Sequence, residues 1–381
     1  MIRLSERHRV HDARAKRWLR EVFEFRNSKA AVVINDVNYW TFGELEKDIP
    51  SAYYGADPGV SMQYQIGKIN RHYESFPDDC YIGFLRPWFG TAVLASGFGA
   101  PIVFPDKADP VAGLSKIETI EEVRKLEIPD PSTSGIMPRV IEAIEYYKDS
   151  CDLTVAITDC QGPLTTALSI VGYDKFCYWI HDYPRVMHEL MEKITDALIS
   201  WVKYQKELCG IPIDGEAYPV GVWLPEGFGG AEISDDEAVM FGPELYREFV
   251  VPCNSRFLQA FGGGCIHYCG TATQHIDNFL ATKGLTAINN FNLDNLGEAG
   301  KMREALAEKG IVYMGCDFTP GDRRLGSYYE EFFRVMKSQT GLVVASYIAP
   351  AVALESGKYS EGERDQLALA RETYRIICQN L

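Results

Sequence analysis

The sequence predicts an α/β chain folded as a (β/α)8 TIM barrel with an N-terminal irregular and helical extension. Three observations carry that reading. From Tyr81 onward, short apolar runs rich in β-branched residues alternate with amphipathic helical stretches, the pattern of a parallel sheet covered by helices. The runs number eight: Tyr81–Leu85, Pro101–Phe104, Leu153–Thr158, Tyr218–Trp223, Cys265–Tyr268, Leu285–Asn290, Ile311–Met314 and Leu342–Ser346. Polar and aromatic residues follow these runs instead of preceding them, as a site on a barrel's C-terminal face requires. An open doubly wound sheet is the competing arrangement. Against it, Gly97-Phe98-Gly99 lacks a third glycine and precedes a strand, and no Gly-Lys-Ser/Thr phosphate loop occurs.

Residues 1–75 read as an extension packing on the barrel and 76–381 as the barrel itself. Within the extension a helix is expected over Asp12–Phe25, followed by aromatic, turn-rich sequence at Asn38–Asp57. Tyr183–Glu207 is expected as a long helix, because Val186, Leu190, Ile194, Leu198, Trp201 and Val202 recur near the helical period behind Pro184. Pro243–Phe261 and Asn295–Lys309 are also expected as helices, the second stopped by Gly310. Asp235-Asp236 after Ser234 reads as a helix N-cap, His188 and His181 as structural or surface residues, and His275 as out of reach of the site.

The chain's 381 residues with net charge −15 leave room for a large core and disfavour nucleic acid or an anionic membrane surface, both of which call for clustered Lys and Arg. The charged N-terminus lacks the apolar core of a signal peptide and no apolar run is long enough to span a bilayer, so a cytoplasmic protein is expected. Its ten cysteines lack regular spacing in a chain too large to need disulfide staples, and reduced thiols follow.

The chain is organised around Gly262-Gly263-Gly264-Cys265-Ile266-His267-Tyr268-Cys269-Gly270. On a strand, alternate side chains share a face, so His267 and Cys269 point the same way at a strand end. An imidazole and a thiolate are ordinary zinc ligands. Other strand ends carry Arg86 and Trp88, Asp159 and Gln161, Glu226, Asn290 and Asn292, Cys316, and Tyr347.

These strand ends carry a resemblance. Asp159-x-Gln161-Gly162-Pro163, Asp182-x-Pro184, Asp235-Asp236-Glu237-Ala238 leading to Gly242-Pro243-Glu244-Leu245-Tyr246, and His267-x-Cys269-Gly270 occur in that order. The set resembles the uroporphyrinogen decarboxylase superfamily, whose fold is a (β/α)8 barrel, from about Tyr81 to the C-terminus. The decarboxylase branch carries a Met-Arg-Gln-Ala-Gly-Arg motif that is missing here. Gly315-Cys316-Asp317-Phe318 and Ala345-Ser346-Tyr347-Ile348 also stand where that branch has Gly-Asn-x-Asp-Pro and a His-containing stretch. The resemblance therefore implies the other branch, zinc-dependent methyltransferases that work with a corrinoid (cobalamin), carried in some cases by a partner protein. It implies zinc on His267 and Cys269 and a third cysteine near the last strand. Here Cys316 takes that part from one strand earlier, with Glu226 or water as alternatives.

The resulting expectation is methyl transfer between a small methylated substrate or thiol and a corrinoid, by a homodimer. His267, Asp159, Glu226 and Tyr347 would be catalytic, and Arg86, Trp88, Gln161, Asn290 and Asn292 would hold substrate. The aromatics Trp88, Phe89, Trp223, Phe228 and Tyr347 would line a mouth suited to a large flat ligand. Two alternatives remain open: decarboxylation of a carboxylated tetrapyrrole or other acidic substrate, and a non-catalytic barrel that binds a small molecule. Without a metal, His267 would move protons with Asp159 or Glu226 as its carboxylate counterpart.

Overall fold

The computed structural model describes residues 5–36, 57–105, 110–291, 295–318, 325–348 and 362–381. Asn292 and most of Asn38–Asp57 lie outside the described residues. Among the described residues there are eight strands, in chain order β1 (Ala31–Asp36), β2 (Ile102–Val103), β3 (Val111–Ala112), β4 (Ala231–Ser234), β5 (Gly264–Cys269), β6 (Leu285–Phe291), β7 (Val312–Phe318) and β8 (Leu342–Ile348). Six of them form one parallel sheet in the order β1-β8-β7-β6-β5-β4.

Two extended segments span the arc between β4 and β1. Cys80 N donates to Val32 O at 2.7 Å, joining the segment at 80–85 to β1. Leu85 bridges Val155 in parallel, and Gln161 bridges Ser234 of β4 in parallel. The chain thus occupies eight successive positions around an axis, a TIM-barrel-like arrangement with a continuous ladder on one side and single bridges on the other.

Which face of each strand looks inward follows from what the other face touches. Tyr268 of β5 stacks on Phe279 of the helix Ile276–Ala281 at 5.3 Å, and Tyr329 of the helix Leu325–Met336 bonds Asp317 of β7 and Ser346 of β8. Those residues face the outer helices. Their alternates, His267, Cys316 and Tyr347, face the interior. Parallel register puts Ser234, His267, Asn289 and Met314 side by side on that inner face.

The helices follow local chemistry. Ser5 caps the helix Glu6–Phe23 by accepting from His8 N at 3.3 Å, and Asp57 caps Pro58–Ser75 by accepting from Gly59 N at 2.8 Å. The long helix runs Pro184–Cys209, buries the expected stripe and ends at Gly210 in the left-handed region. Among the described residues no helix is long and apolar enough to cross a membrane.

Three expectations about strands change. Pro101–Phe104 supplies only the two residues of β2, paired antiparallel with β3 away from the main sheet. The sheet's first strand is β1, from within the stretch read as an extension. The fourth is β4, downstream of Tyr218–Trp223.

The Tyr218–Trp223 run is a hairpin instead, with Ala217 and Leu224 paired antiparallel at its base. Its tip stands inside the barrel. Arg86 Nη2 donates to Tyr218 O at 2.6 Å, the Tyr347 hydroxyl donates to Val220 O, and Gly221 lies against the Asn35 side chain. Those contacts come from three neighbouring positions of the wall, the segment at 80–85, β1 and β8. The base faces the helix Glu6–Phe23, where Lys16 Nζ lies 5.1 Å from the Trp223 ring. Pro219 and Gly221 break the run as a strand, but its aromatic and β-branched residues are buried all the same, as a plug. Val220 at the tip has φ 41°, a strained setting for a β-branched residue that the surrounding contacts hold.

Candidate active site at the C-terminal ends of the strands

β5 enters the sheet through Gly262 and Gly263, at φ 71° and 120°, and a Cβ on Gly264 would lie 2.2 Å from Ala231 O. Only glycine allows this close passage between β4 and β6. The strand then delivers His267 and Cys269 to one face, as the alternation predicts. His267 is buried and Cys269 is exposed.

Asp236 joins them from the turn after β4. His267 Nε2 lies 3.5 Å from Cys269 Sγ and 3.4 Å from Asp236 Oδ1, and Asp236 Oδ1 also accepts from Cys269 N at 2.8 Å. One nitrogen, one sulfur and one oxygen donor atom lie within 4.8 Å of one another. Burial opposes charge on the His267 ring, but the Asp236 carboxylate and the Cys269 sulfur outweigh it and hold its pKa well above the usual imidazole value. Burial would raise the Asp236 carboxyl, yet its bonds to His267 and Cys269 leave it below the ordinary range. Although Cys269 is exposed as a residue, its thiol is desolvated where it meets His267 and Asp236, and this pushes its pKa up.

The helix-cap reading of Asp235-Asp236 is corrected here, since neither side chain makes a capping bond to the turn Asp236–Met240. Asp235 is buried and accepts from Tyr246 Oη and, at 3.0 Å, from Asn254 Nδ2, which anchors the turn. Asp236 is thereby left facing the site.

Asn289, in register with His267 on β6, accepts from His267 Nδ1 at 2.7 Å and donates through Nδ2 to Cys316 Sγ at 3.1 Å. Cys316 is therefore next to the trio but outside it. Its buried thiol is raised well above the usual value, mainly by desolvation.

Deeper in the barrel, burial pushes Asp159 up to about 6 while a 2.6 Å bond from Gln161 Nε2 opposes the shift. Glu232 raises it further, and Arg86 and His267 pull it down, so Asp159 shares an electrostatic field with the trio. Arg86 pairs with Glu232 at 3.0 Å as well as bonding Tyr218 O. Arg86 and Gln161, expected to bind substrate, thus have partners within the protein. Trp88 is buried. Tyr347 is an inner wall residue whose hydroxyl is engaged by Val220 O and whose ring packs 4.9 Å from Phe291.

Two expected site residues sit elsewhere. Asn290 faces outward, donating to Tyr268 O at 3.2 Å and Gly270 O at 3.0 Å and accepting from Tyr313 Oη at 2.8 Å. It pins three strands together on the helix side, and its neighbour Asn289 is the one that faces inward. Glu226 is exposed and precedes β4, in a cavity of about 380 Å³ with Thr154, Val155, Cys209 and Glu216. Thr154 begins the segment that Gln161 ends, so this cavity opens at the other end of the barrel, away from His267 and Cys269. Trp223 and Phe228 also face that end, Phe228 against Phe23 at 5.2 Å, so the expected aromatic mouth loses two of its members.

His275 is structural, with Nε2 at 2.8 Å from Ala238 O and 3.0 Å from Phe241 O, and His188 pairs with Glu248 at the surface. Asp236, read as part of a helix cap, and Asn289, which stands beside Asn290 on the same strand, are contributors absent from the expected site residues. The signal for Asp236 was present: had Ala231–Ser234 been read as the fourth strand, Asp236 would have stood at a strand end.

Residues 73–209 match the model of the uroporphyrinogen decarboxylase (URO-D) family, which covers the first two motifs of the resemblance. A solved methyltransferase from Methanosarcina mazei matches 95% of this chain and 99% of its own length, with a TM-score of 0.65 at 16% sequence identity. At that identity the likeness shows a shared fold. No curated protein sequence matches the chain.

Proposed function

We propose that the chain is a URO-D-like methyltransferase that passes a methyl group between a small methylated substrate or thiol and a corrinoid, with zinc held by Asp236, His267 and Cys269. The observation that carries this reading is the trio itself. Ligands about 2.0–2.3 Å from one tetrahedral ion stand roughly 3.5 Å apart, and the two separations at His267 Nε2 are 3.4 and 3.5 Å. Three protein ligands, one of them exposed, leave a fourth position open to substrate. Mixed nitrogen, sulfur and oxygen donors suit zinc. Asp236 thus replaces Cys316 as the proposed third ligand. Bound zinc supplies a Lewis acid and holds a thiol as thiolate near neutral pH.

The protein's own groups supply the rest. His267 is fixed between Asn289 and the two other donors. Asp159, pushed up to about 6, can take or give a proton near neutral pH inside a desolvated interior. The hairpin tip and the Arg86–Glu232 pair fill part of the barrel interior with groups already bonded to one another.

Decarboxylation of a polyacidic substrate is disfavoured because Arg86, on the inner wall, is already paired with Glu232. The test has two parts. Elemental analysis of purified protein should give close to one zinc per chain, lost in Cys269→Ala. Methylcobalamin mixed with the protein and candidate thiols should then show the spectral change of demethylation. Less than about a tenth of an equivalent of any transition metal after zinc-replete expression rejects the metal centre. Release of CO₂ from an acidic substrate, without any cobalamin change, rejects methyl transfer.

A further inference from the structure

Within the same site, we infer that Asn289 is a positioning residue that keeps the proton of His267 on Nδ1, so that Nε2 is the nitrogen presented to Cys269 and Asp236. The inference rests on the proposed role of His267 for its consequence but not for its geometry.

Asn289 is fully buried, and its amide nitrogen lies 3.1 Å from Cys316 Sγ and 3.9 Å from Met314 Sδ. A thioether carries no hydrogen and can only accept. If the amide were turned over, its oxygen could accept only the weak S–H of Cys316, it would face Met314 with no hydrogen between them, and one of its two N–H groups would lose its partner. Burial makes such a loss costly. The arrangement that satisfies every atom has both N–H groups on sulfur and Oδ1 on the ring of His267, 2.7 Å from Nδ1.

An oxygen at that position accepts and cannot donate, so Nδ1 must carry a hydrogen. The lone pair of the neutral ring then belongs to Nε2, the nitrogen that stands 3.5 Å from Cys269 Sγ and 3.4 Å from Asp236 Oδ1. The two sulfur acceptors on β7 therefore set, through one carboxamide on β6, which atom of a β5 histidine is available for chemistry. Partners behind a metal-bound histidine act in this way, and their loss typically lowers metal affinity 10–100-fold. Register is what permits it, since His267, Asn289 and Met314 are paired laterally across three strands.

The test is nitrogen NMR on full-length protein carrying ¹⁵N in its seven histidines, with the His267 signals assigned by their loss in His267→Gln. Metal-free protein is brought to a pH at which the His267 ring is neutral. Nδ1 is expected to remain protonated and Nε2 to be bare. In Asn289→Asp, whose carboxylate still accepts, the same tautomer is expected to persist. In Asn289→Leu, the two tautomers are expected to mix, and zinc affinity in a chelator competition is expected to fall about 10–100-fold. Circular dichroism of both variants separates these results from unfolding. A wild-type ring protonated on Nε2, or an Asn289→Leu ring with an unchanged tautomer, overturns the inference. Because the tautomer is read without metal, a protein that binds no zinc would defeat the proposed function and leave this result standing.

Discussion

Asp79 and Asp236 each face histidine nitrogens, one near the N-terminal ends of the strands and the other at the C-terminal ends, and their surroundings differ in one physical respect. Asp79 is completely enclosed. Its carboxylate lies 3.0 Å from His72 Nε2 and 3.3 Å from His11 Nε2, and it accepts from Ile34 N and Tyr81 N at 3.2 Å each. Every direction around it is filled by a donor from a different piece of chain: the helices Glu6–Phe23 and Pro58–Ser75, β1 and the segment at 80–85. Asp236 has one histidine, one backbone N–H, a thiol nearby and a side exposed to solvent. The same residue types make a staple where all lone pairs are satisfied and a candidate site where a coordination direction remains open.

That contrast yields predictions that could break it, beginning with the largest. Replacing Cys269 by Ala should remove the metal and lower methyl transfer by about 10³-fold or more, since the ion is worth several kcal/mol to the transition state. Its melting temperature in the metal-free form should stay within about 2 °C of wild type, because an exposed strand-end thiol contributes little packing. A large loss of stability with retained activity would make the mouth the staple instead.

Asp79→Ala should do the reverse. It leaves two buried histidines and two strand amides without their acceptor, a loss of roughly 3–5 kcal/mol in urea unfolding. Zinc content in the fraction that folds should be unchanged.

The pH dependence belongs to the same staple. Burial lowers the His11 pKa, but Asp12 and Asp79 more than reverse this and push it up to about 9. A histidine raised in the folded state contributes stability that is complete below about 6.5 and is lost as pH rises through 9. Wild type should therefore lose on the order of 2 kcal/mol across that interval. His11→Asn should be less stable at pH 6 and show a flatter profile in chemical denaturation.

Asn290→Ala tests the inner and outer faces of a single strand. Three hydrogen bonds disappear on the helix side, so a loss of about 1–2 kcal/mol is expected in thermal or urea unfolding. Zinc content should not change. Metal loss here would mean that the outward asparagine, and not Asn289, supports the site.

How much of this was legible in the sequence follows the ladder. β5 to β8 were read within a few residues because each is a compact apolar run between glycine or polar turns, and their strand-end residues could be placed with them. On the other side of the barrel, single bridges take the place of ladders, and the reading fails there. Ala31–Asp36 is a good strand by composition but sits in a stretch without the strand-helix alternation. Ala231–Ser234 is short and carries Glu232 on its inner face, where a polar interior breaks the apolar signature. The stronger run at Tyr218–Trp223 then took its place, because periodicity registers burial and cannot tell a strand from a plug. Misplacing β4 moved two site residues at once, bringing Glu226 to a strand end and turning Asp236 into a cap.

Glu226 therefore gives the smallest effect and the cleanest separation between the two ends. Its side chain is exposed, in the cavity with Thr154 and Cys209 at the N-terminal ends of the strands, away from the trio. A carboxylate in water at that distance is screened and cannot share a proton with His267. Glu226→Gln should leave zinc content, the methylcobalamin reaction and thermal stability within a factor of about two of wild type or within experimental scatter. Asp236→Asn, measured beside it, should weaken zinc binding by about 10-fold or more, because it removes the charge of a ligand. If Glu226→Gln lost metal and Asp236→Asn did not, the fourth strand would have to end at Glu226 after all, with Tyr218–Trp223 as a wall strand and not a plug.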